Sequence, residues 1–334
     1  MSKIAAYAKL LRLPGIGALG IVPVIAALVM GTTDIYSLTI IFIIGALASV
    51  FGFLINDYVD IELDGYVDEL KKKPLVSGEV SKKNALLIAF YLAFTTFFFI
   101  ALLWFNKPID TFKFSALICI VLAGILGTFY DVYGKKVVGS DFFVAISVAL
   151  IFLFGALTYG QPTVMIWVIF ILTFENILYM NVVQNGIKDA DHDYKLGVKN
   201  IALTLGVTVQ ENKITIPRSF QAFGFGLRLF AAVLFFVPFL VFGYDSYLWQ
   251  LILLAVLIIV YLFLDAKLLT LKTFDRSRIR KLIGIQSFLR YSLVPVMLFK
   301  VIGILPSILL ILIPIVWYSI FTLFLGEKLF KPRM

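Results

Sequence analysis

Ile-Tyr-Ser-Leu-Thr-Ile-Ile-Phe-Ile-Ile-Gly-Ala-Leu-Ala-Ser-Val-Phe-Gly-Phe-Leu-Ile, residues 35–55, runs straight into Asn56-Asp57-Tyr58-Val59-Asp60-Ile61-Glu62-Leu63-Asp64. The first part has the length and apolarity that a helix needs to cross a bilayer. The second part is what a bilayer excludes, because a carboxylate at a membrane boundary is costly unless a cation neutralises it. The fold follows from the first part and the chemistry from the second.

Apolar runs of similar length recur along all 334 residues, 61% of which are hydrophobic, with a mean hydropathy of +1.02. Such a composition points to a polytopic membrane protein. Alternating ten-residue strands of the barrel type are absent from the sequence, so helices must satisfy the backbone. We place ten hydrophobic helices at 15–31, 35–56, 84–105, 114–132, 141–159, 164–187, 221–242, 248–268, 282–301 and 304–325. The first run reads as a retained helix and not as a signal peptide, since no small-residue cleavage site follows it. The single cysteine, Cys119, lies within an apolar run, which excludes an internal disulfide and reads as a small core residue.

The net charge of +9 is a topology signal and not a nucleic-acid signal. Lysine and arginine gather in alternate loops: Lys71–Lys73 with Lys82 and Lys83, then Lys135 and Lys136, then 188–218, then 267–281. By the positive-inside rule these loops and both termini face the cytoplasm, in an integral protein of the cell membrane.

A second acidic cluster, Asp189-Ala190-Asp191-His192-Asp193, ends the sixth predicted helix as the first ends the second. A basic, glycine-containing tract follows each: Lys71–Gly78 and Lys195–Lys199. Asp57, Asp60 and Asp64 are spaced i, i+3, i+7 and share a face if the helix continues through them. Asp189 and Asp193, at i, i+4, form a second pair, while Asp191 points elsewhere on a regular helix. Hard oxygen ligands at these spacings suit Mg2+, which also takes ligands from water and substrate phosphates. Lysines beside both clusters suit the remaining phosphate oxygens. Ionising an allylic diphosphate fits this set: cations neutralise the leaving group and an apolar interior shelters the carbocation.

Asn-Asp-x-x-Asp-x-x-x-Asp at Asn56–Asp64, followed by Lys-Pro-Leu-Val-Ser-Gly at Lys73–Gly78, resembles the first signature of the UbiA superfamily of intramembrane prenyltransferases. Asp189, Asp193, Lys195 and Gly197 resemble its second signature, with His192 where glycine is common and Asn200 where threonine is common. Tyr130–Lys136 is similar to its Tyr-x-x-x-Lys element with altered spacing, and Lys73 stands where arginine is usual. The resemblance spans roughly residues 1–300. It implies one transmembrane prenyltransferase domain over 1–334: an all-α bundle of nine core helices around a lipid-accessible cavity under a cytoplasmic cap. Segment 304–325 would then be an extra peripheral helix, or one of 282–301 and 304–325 does not span.

On this reading the metal ligands for two Mg2+ ions are Asp57, Asp60, Asp64, Asp189 and Asp193. Catalytic candidates are Asp60, Asp64, Asp191, Lys73 and Tyr130; substrate-binding candidates are Asn56, Lys73, Lys135, Lys136, Lys195, Lys199 and Asn185. The partners are an isoprenyl diphosphate donor, a lipophilic or amphipathic acceptor (geranylgeranylglyceryl phosphate or an aromatic quinone precursor) and membrane lipid, with no nucleic acid. Glu62, Asp68 and Glu69 lie off the acidic face and read as solvated cap residues. The sole histidine, His192, reads as an exposed loop residue in preference to a base. Glu175, inside the sixth helix, either lines the acceptor end of the cavity or pairs with Arg228 or Arg290. A secondary transporter with an aspartate-lined cation site is the alternative from another class. A phosphatidyl-alcohol transferase would need an Asp-Gly-x-x-Ala-Arg tract, which the sequence lacks.

Overall fold

The computed structural model describes residues 3–68 and 70–326, and helices dominate it. In chain order these are α1 (Lys3–Leu10), α2 (Leu13–Val29), α3 (Ile35–Val59), α4 (Ile61–Gly65), α5 (Lys82–Leu103), α6 (Thr111–Tyr133), α7 (Asp141–Leu157) and α8 (Val164–Tyr179). A π-helical stretch, Met180–Asn185, joins α8 to α9 (Gly186–Lys188), followed by α10 (Ala190–Lys195) and α11 (Ile201–Thr204). After a small hairpin of β1 (Thr208–Gln210) and β2 (Lys213–Thr215) come α12 (Arg218–Leu234), α13 (Val237–Leu240), α14 (Leu248–Leu269), α15 (Arg276–Met297), α16 (Phe299–Ile302) and α17 (Ile304–Phe324).

Polar side chains set the helix starts. Asp34 accepts from the Ser37 amide at α3, Ser81 from Asn84 at α5, and Asp275 from Ser277 and Arg278 at α15. The last cap explains a difference from the sequence reading. The stretch Arg276–Lys281 reads as a basic loop, yet Asp275 starts the helix there, six residues before the predicted 282. The predicted 221–242 helix divides into α12 and α13, the latter starting beside Pro238. The hairpin is an addition to the expected all-α chain; Val209 pairs with Ile214 across it, and Glu211 turns it with a positive φ.

Among the described residues, six helical segments are long and apolar enough to cross a membrane: Ile35–Val59, Lys82–Leu103, Thr111–Tyr133, Val164–Lys188, Leu248–Leu269 and Ile304–Phe324. Two shorter apolar helices, Leu13–Val29 and Asp141–Leu157, accompany them. Phe90, Phe94, Phe98, Val256 and Ile259 lie exposed on these helices, a surface that suits lipid and not water.

The chain divides into two compact units: Met1–Val132 with Leu150–Pro162 and Leu312–Met334, and Tyr133–Ala149 with Thr163–Ile311. Close helix contact through small residues organises the first. A Cβ on Gly155 of α7 would lie 2.1 Å from the Pro23 carbonyl oxygen, so only glycine permits that approach. A Cβ on Gly17 would lie 2.6 Å from Trp317 of α17, whose indole donates to the Leu13 carbonyl at 2.8 Å. At the end that carries the first acidic cluster, Ala6 and Leu10 of α1 bury against Leu54, Leu75, Val80 and Ala85. In the second unit the π-helical stretch is the centre of the core: Tyr179, Val182, Val183 and Ile187 pack with Phe220, Leu268 and Ile279. The Gln250 amide of α14 donates to the carbonyls of Val296 and Met297, at 3.0 and 2.8 Å. That satisfies helix-end acceptors where lipid offers no donor.

Candidate active site

The first cluster forms where α3 ends and α4 begins. Asp60 interrupts the helix, but the Asp60 amide still donates to Asn56 and the Asp64 amide to Asp60, at 3.0 and 2.8 Å. The turn register therefore survives, and Asp57, Asp60 and Asp64 are all withdrawn from solvent, at 5%, 5% and 4% exposure. Buried carboxylates need cations, and the first unit supplies two. Lys73 Nζ lies 2.8 Å from Asp57 Oδ1 and 2.7 Å from Asp64 Oδ2. Arg12 reaches the same Asp57 oxygen at 2.6 Å, with its guanidinium over the Phe53 ring. Burial works against the charge on Lys73, yet Asp57 and Asp64 outweigh it, so its pKa is raised. Asn56 donates its amide to Asp131 Oδ1 at 3.3 Å.

The second cluster is built on a turn. Val164–Tyr179 widens into the π-helical stretch, a feature common at functional sites, and then yields to Asp189 and α10. The Asp193 amide donates to the Asp189 carbonyl at 2.9 Å, which keeps the two residues one turn apart. Lys188 lies 3.3 Å from Asp189 and donates to Asn185 at 3.1 Å. Asp193 accepts the Asn200 amide at 2.7 Å. Asn200 also caps α11 through Leu203. Burial, then the like charge of Asp189, pushes the Asp193 carboxyl up to about 7, against Lys135, the Asn200 bond and Lys188. Asp191 takes another direction and pairs with Arg276 at the start of α15. His192 is held there too, its ring nitrogens 3.1 and 3.2 Å from the Arg276 guanidinium. This corrects the reading of His192 as an exposed loop residue: the arginine of a distant helix draws it in.

Tyr130 belongs to the first unit and Lys135 and Lys136 to the second. The Lys135 carbonyl accepts the Lys199 amide at 3.0 Å, tying the basic tract to the loop after α6. Lys136, Lys195 and Lys199 are exposed, as are Glu62 and Asp68; Glu69 lies outside the described residues. Among the described residues no three His, Cys, Asp or Glu side chains converge closely enough to hold a metal by themselves. The carboxylates converge on lysine and arginine instead. Asp57 and Asp64 already accept one cation between them, and their oxygens are the hard donors Mg2+ prefers, so the donor set fits a metal completed by diphosphate and water.

Residues 19–293 match the UbiA prenyltransferase family. The chain belongs to this family. The 4-hydroxybenzoate octaprenyltransferase of Vibrio parahaemolyticus is 30% identical over 210 residues, covering 61% of this chain and 70% of that enzyme. The enzyme of the same name from Shewanella sp. strain ANA-3 is 32% identical over 209 residues, covering 60% of this chain and 68% of its own. Among solved structures, a digeranylgeranylglyceryl phosphate synthase aligns with a TM-score of 0.66 at 21% identity, over 90% of this chain and 99% of that one. A UbiA homolog from Archaeoglobus fulgidus bound to GPP and Mg2+ aligns with a TM-score of 0.61 at 19% identity, over 94% and 99%. These likenesses confirm the all-α polytopic fold. The chain is an integral membrane prenyltransferase of UbiA type, which sets the transporter alternative aside.

Three members of the UbiA chain's polar machinery escape sequence reading. Arg12 is 45 residues from Asp57 and looks like a topology charge, but the end of α2 nearest it brings it onto the carboxylate. Asp131 hides inside the Tyr130–Lys136 element, and Lys188 reads as one more loop lysine. The fate of Glu175 is settled by geometry. It pairs with Arg228 at 3.1 Å, both 3% exposed, and Arg228 also faces Asp265 at 3.2 Å and donates to Tyr261 at 2.8 Å. Gln286 donates to Asp265 at 2.9 Å and accepts from Gln184 of the π-helical stretch at 2.8 Å. A buried polar chain thus runs from Arg228 through Asp265 and Gln286 to Gln184, just before the second cluster.

Proposed function

We propose that this chain transfers an isoprenyl group from a prenyl diphosphate to a lipophilic acceptor within the membrane, with Mg2+ bound by Asp57, Asp60, Asp64, Asp189 and Asp193. The observation that carries the reading is Lys73, held between two buried carboxylates whose motif ends a bilayer-length helix. The names of the relatives, and the GPP and Mg2+ bound by the Archaeoglobus fulgidus homolog, support it. Magnesium, when bound, neutralises charge that builds on the departing diphosphate. Lys73 and Arg12 lie close enough to the first cluster to hold diphosphate oxygens once a metal takes over their carboxylates, and Lys188, Lys135, Lys195 and Lys199 serve the second. The C1–O bond of the donor breaks with both electrons leaving on diphosphate. A bond forms from C1 to a carbon or oxygen of the acceptor, which gives up a proton. The apolar helices exclude water from the carbocation. Tyr130, Asn56 and Asn185 remain candidates for orienting the substrates, and the whole of 1–334 acts as one transmembrane domain. The lysine and arginine distribution supports a topology with both termini and both clusters facing the cytoplasm.

The acceptor is either an aromatic quinone precursor, favoured by the names of the sequence relatives, or geranylgeranylglyceryl phosphate, for whose phosphate the surplus lysines are suited. Purified protein supplied with labelled geranylgeranyl diphosphate, Mg2+ and each acceptor in turn decides. Label in one lipid product with equimolar diphosphate is the expected result. No product from either acceptor class would overturn this reading.

A further inference from the structure

Arg276, the first residue of α15, makes contacts that the metal–diphosphate reading does not use. Its Nε donates to the Lys188 carbonyl at 3.4 Å, one guanidinium nitrogen pairs with Asp191, and two face the His192 ring. Its partners are consecutive parts of one turn: the last residue of α9 and two residues of α10. Between and beside them lie Asp189 and Asp193, the residues assigned to metal. The guanidinium has donors fixed in one plane, so it can hold a carbonyl, a carboxylate and an imidazole in a fixed relation where a lysine could not. The helix start around it is held by Asp275, which accepts from the Ser277 and Arg278 amides, and lower on the same helix Gln286 bonds Gln184. Helix α15 therefore grips the chain on both sides of Asn185 and Asp189.

We propose that Arg276 is a positioning residue for the second aspartate cluster, and that Asp191 is its anchor and not a metal ligand or catalytic group. Pulling Asp191 and His192 toward α15 leaves Asp189 and Asp193, one turn apart, as the pair available to metal. This reassigns Asp191, which its place in the acidic run suggests for catalysis. The proposal rests on the metal–diphosphate reading for its consequence, but the clamp itself can be read without activity.

The test uses the full chain in detergent, with Arg276→Gln, Asp191→Asn and the double variant. Amide hydrogen exchange over residues 186–199 reports the turn. Binding of Mn2+ with inorganic diphosphate, followed by the metal's paramagnetic signal, reports the site. Each single variant is expected to speed exchange across 186–199 selectively and to weaken Mn2+–diphosphate binding about 10-fold, the usual scale for residues that orient metal ligands. The double variant is expected to match the single ones, because both remove the same contact. Arg276→Lys should fall between, and it carries the test if Arg276→Gln does not fold. Unchanged exchange at 186–199 in the Arg276 variants would overturn the clamp. Additive losses, with Asp191→Asn much the worse, would make Asp191 a ligand in its own right and overturn the reassignment. Wild-type protein that binds no Mn2+–diphosphate would count against the metal reading, while exchange would still decide the clamp.

Discussion

The two aspartate clusters solve the same problem, carboxylates at the edge of an apolar bundle, by different means. The first neutralises itself. Asp57, Asp60 and Asp64 are buried, and Lys73 and Arg12 supply the positive charge from within the same unit. The second is held in place more than it is neutralised. Asp189 has one lysine at 3.3 Å, Asp193 has a neutral amide, and the strongest cation nearby, Arg276, is engaged with Asp191. In the first, a bound metal would share Asp57 and Asp64 with Lys73 and Arg12, which would be placed to hold diphosphate oxygens. In the second, Asp189 and Asp193 would be the carboxylates available to a metal, on a turn that α15 and the π-helical stretch hold. Charge organises the first cluster and backbone geometry the second.

Several interventions break or sharpen that contrast. The largest effect should come from removing the metal. Chelation should abolish diphosphate release, and added Mg2+ should restore it, as measured by phosphate-coupled assay; release that survives chelation would leave both clusters without their shared purpose. Next is Arg228→Leu, which leaves Glu175 and Asp265 buried without their shared arginine. Loss of one partner of a buried ion pair costs about 3–5 kcal/mol, so a marked fall in the melting temperature in detergent is expected. No comparable fall should follow Arg12→Gln, whose carboxylate keeps Lys73. Lys73→Met should raise the donor KM about 10-fold, the scale of a lost charge-assisted hydrogen bond, while Lys188→Met should raise it less. Equal effects would erase the distinction between a self-neutralised and a geometrically held cluster. The smallest effect should come from Lys195→Ala, an exposed side chain, with a change under about threefold in KM.

How far the sequence leads follows the same division. Apolar periodicity and length locate the long apolar helices, because the bilayer leaves the backbone no other way to satisfy itself, although the predicted 221–242 segment divides in two. The shared burial of Asp57, Asp60 and Asp64 and the one-turn relation of Asp189 and Asp193 are legible because their spacing along one chain segment sets their spacing in space. Arg12, Asp131 and Arg276 are not, since each meets its partner across 45, 75 or 85 positions and looks locally like an ordinary charge. The start of α15 was hidden because a basic stretch resembles a cytoplasmic loop until its aspartate cap is seen. The hairpin was hidden because strands of three residues carry almost no periodic signal. Asp191 shows the limit from the other side: its place in the acidic run suggests catalysis, and only the arginine on α15 shows another use for it.

The central claim is that both clusters serve one metal-dependent departure of diphosphate. Diphosphate release should be measured over a Mg2+ titration for wild type, Asp60→Asn and Asp193→Asn, each checked for folding by its elution as a single species in detergent. The account predicts saturable, Mg2+-dependent release by wild type and none above background by either folded variant. Wild-type turnover by either variant would contradict it.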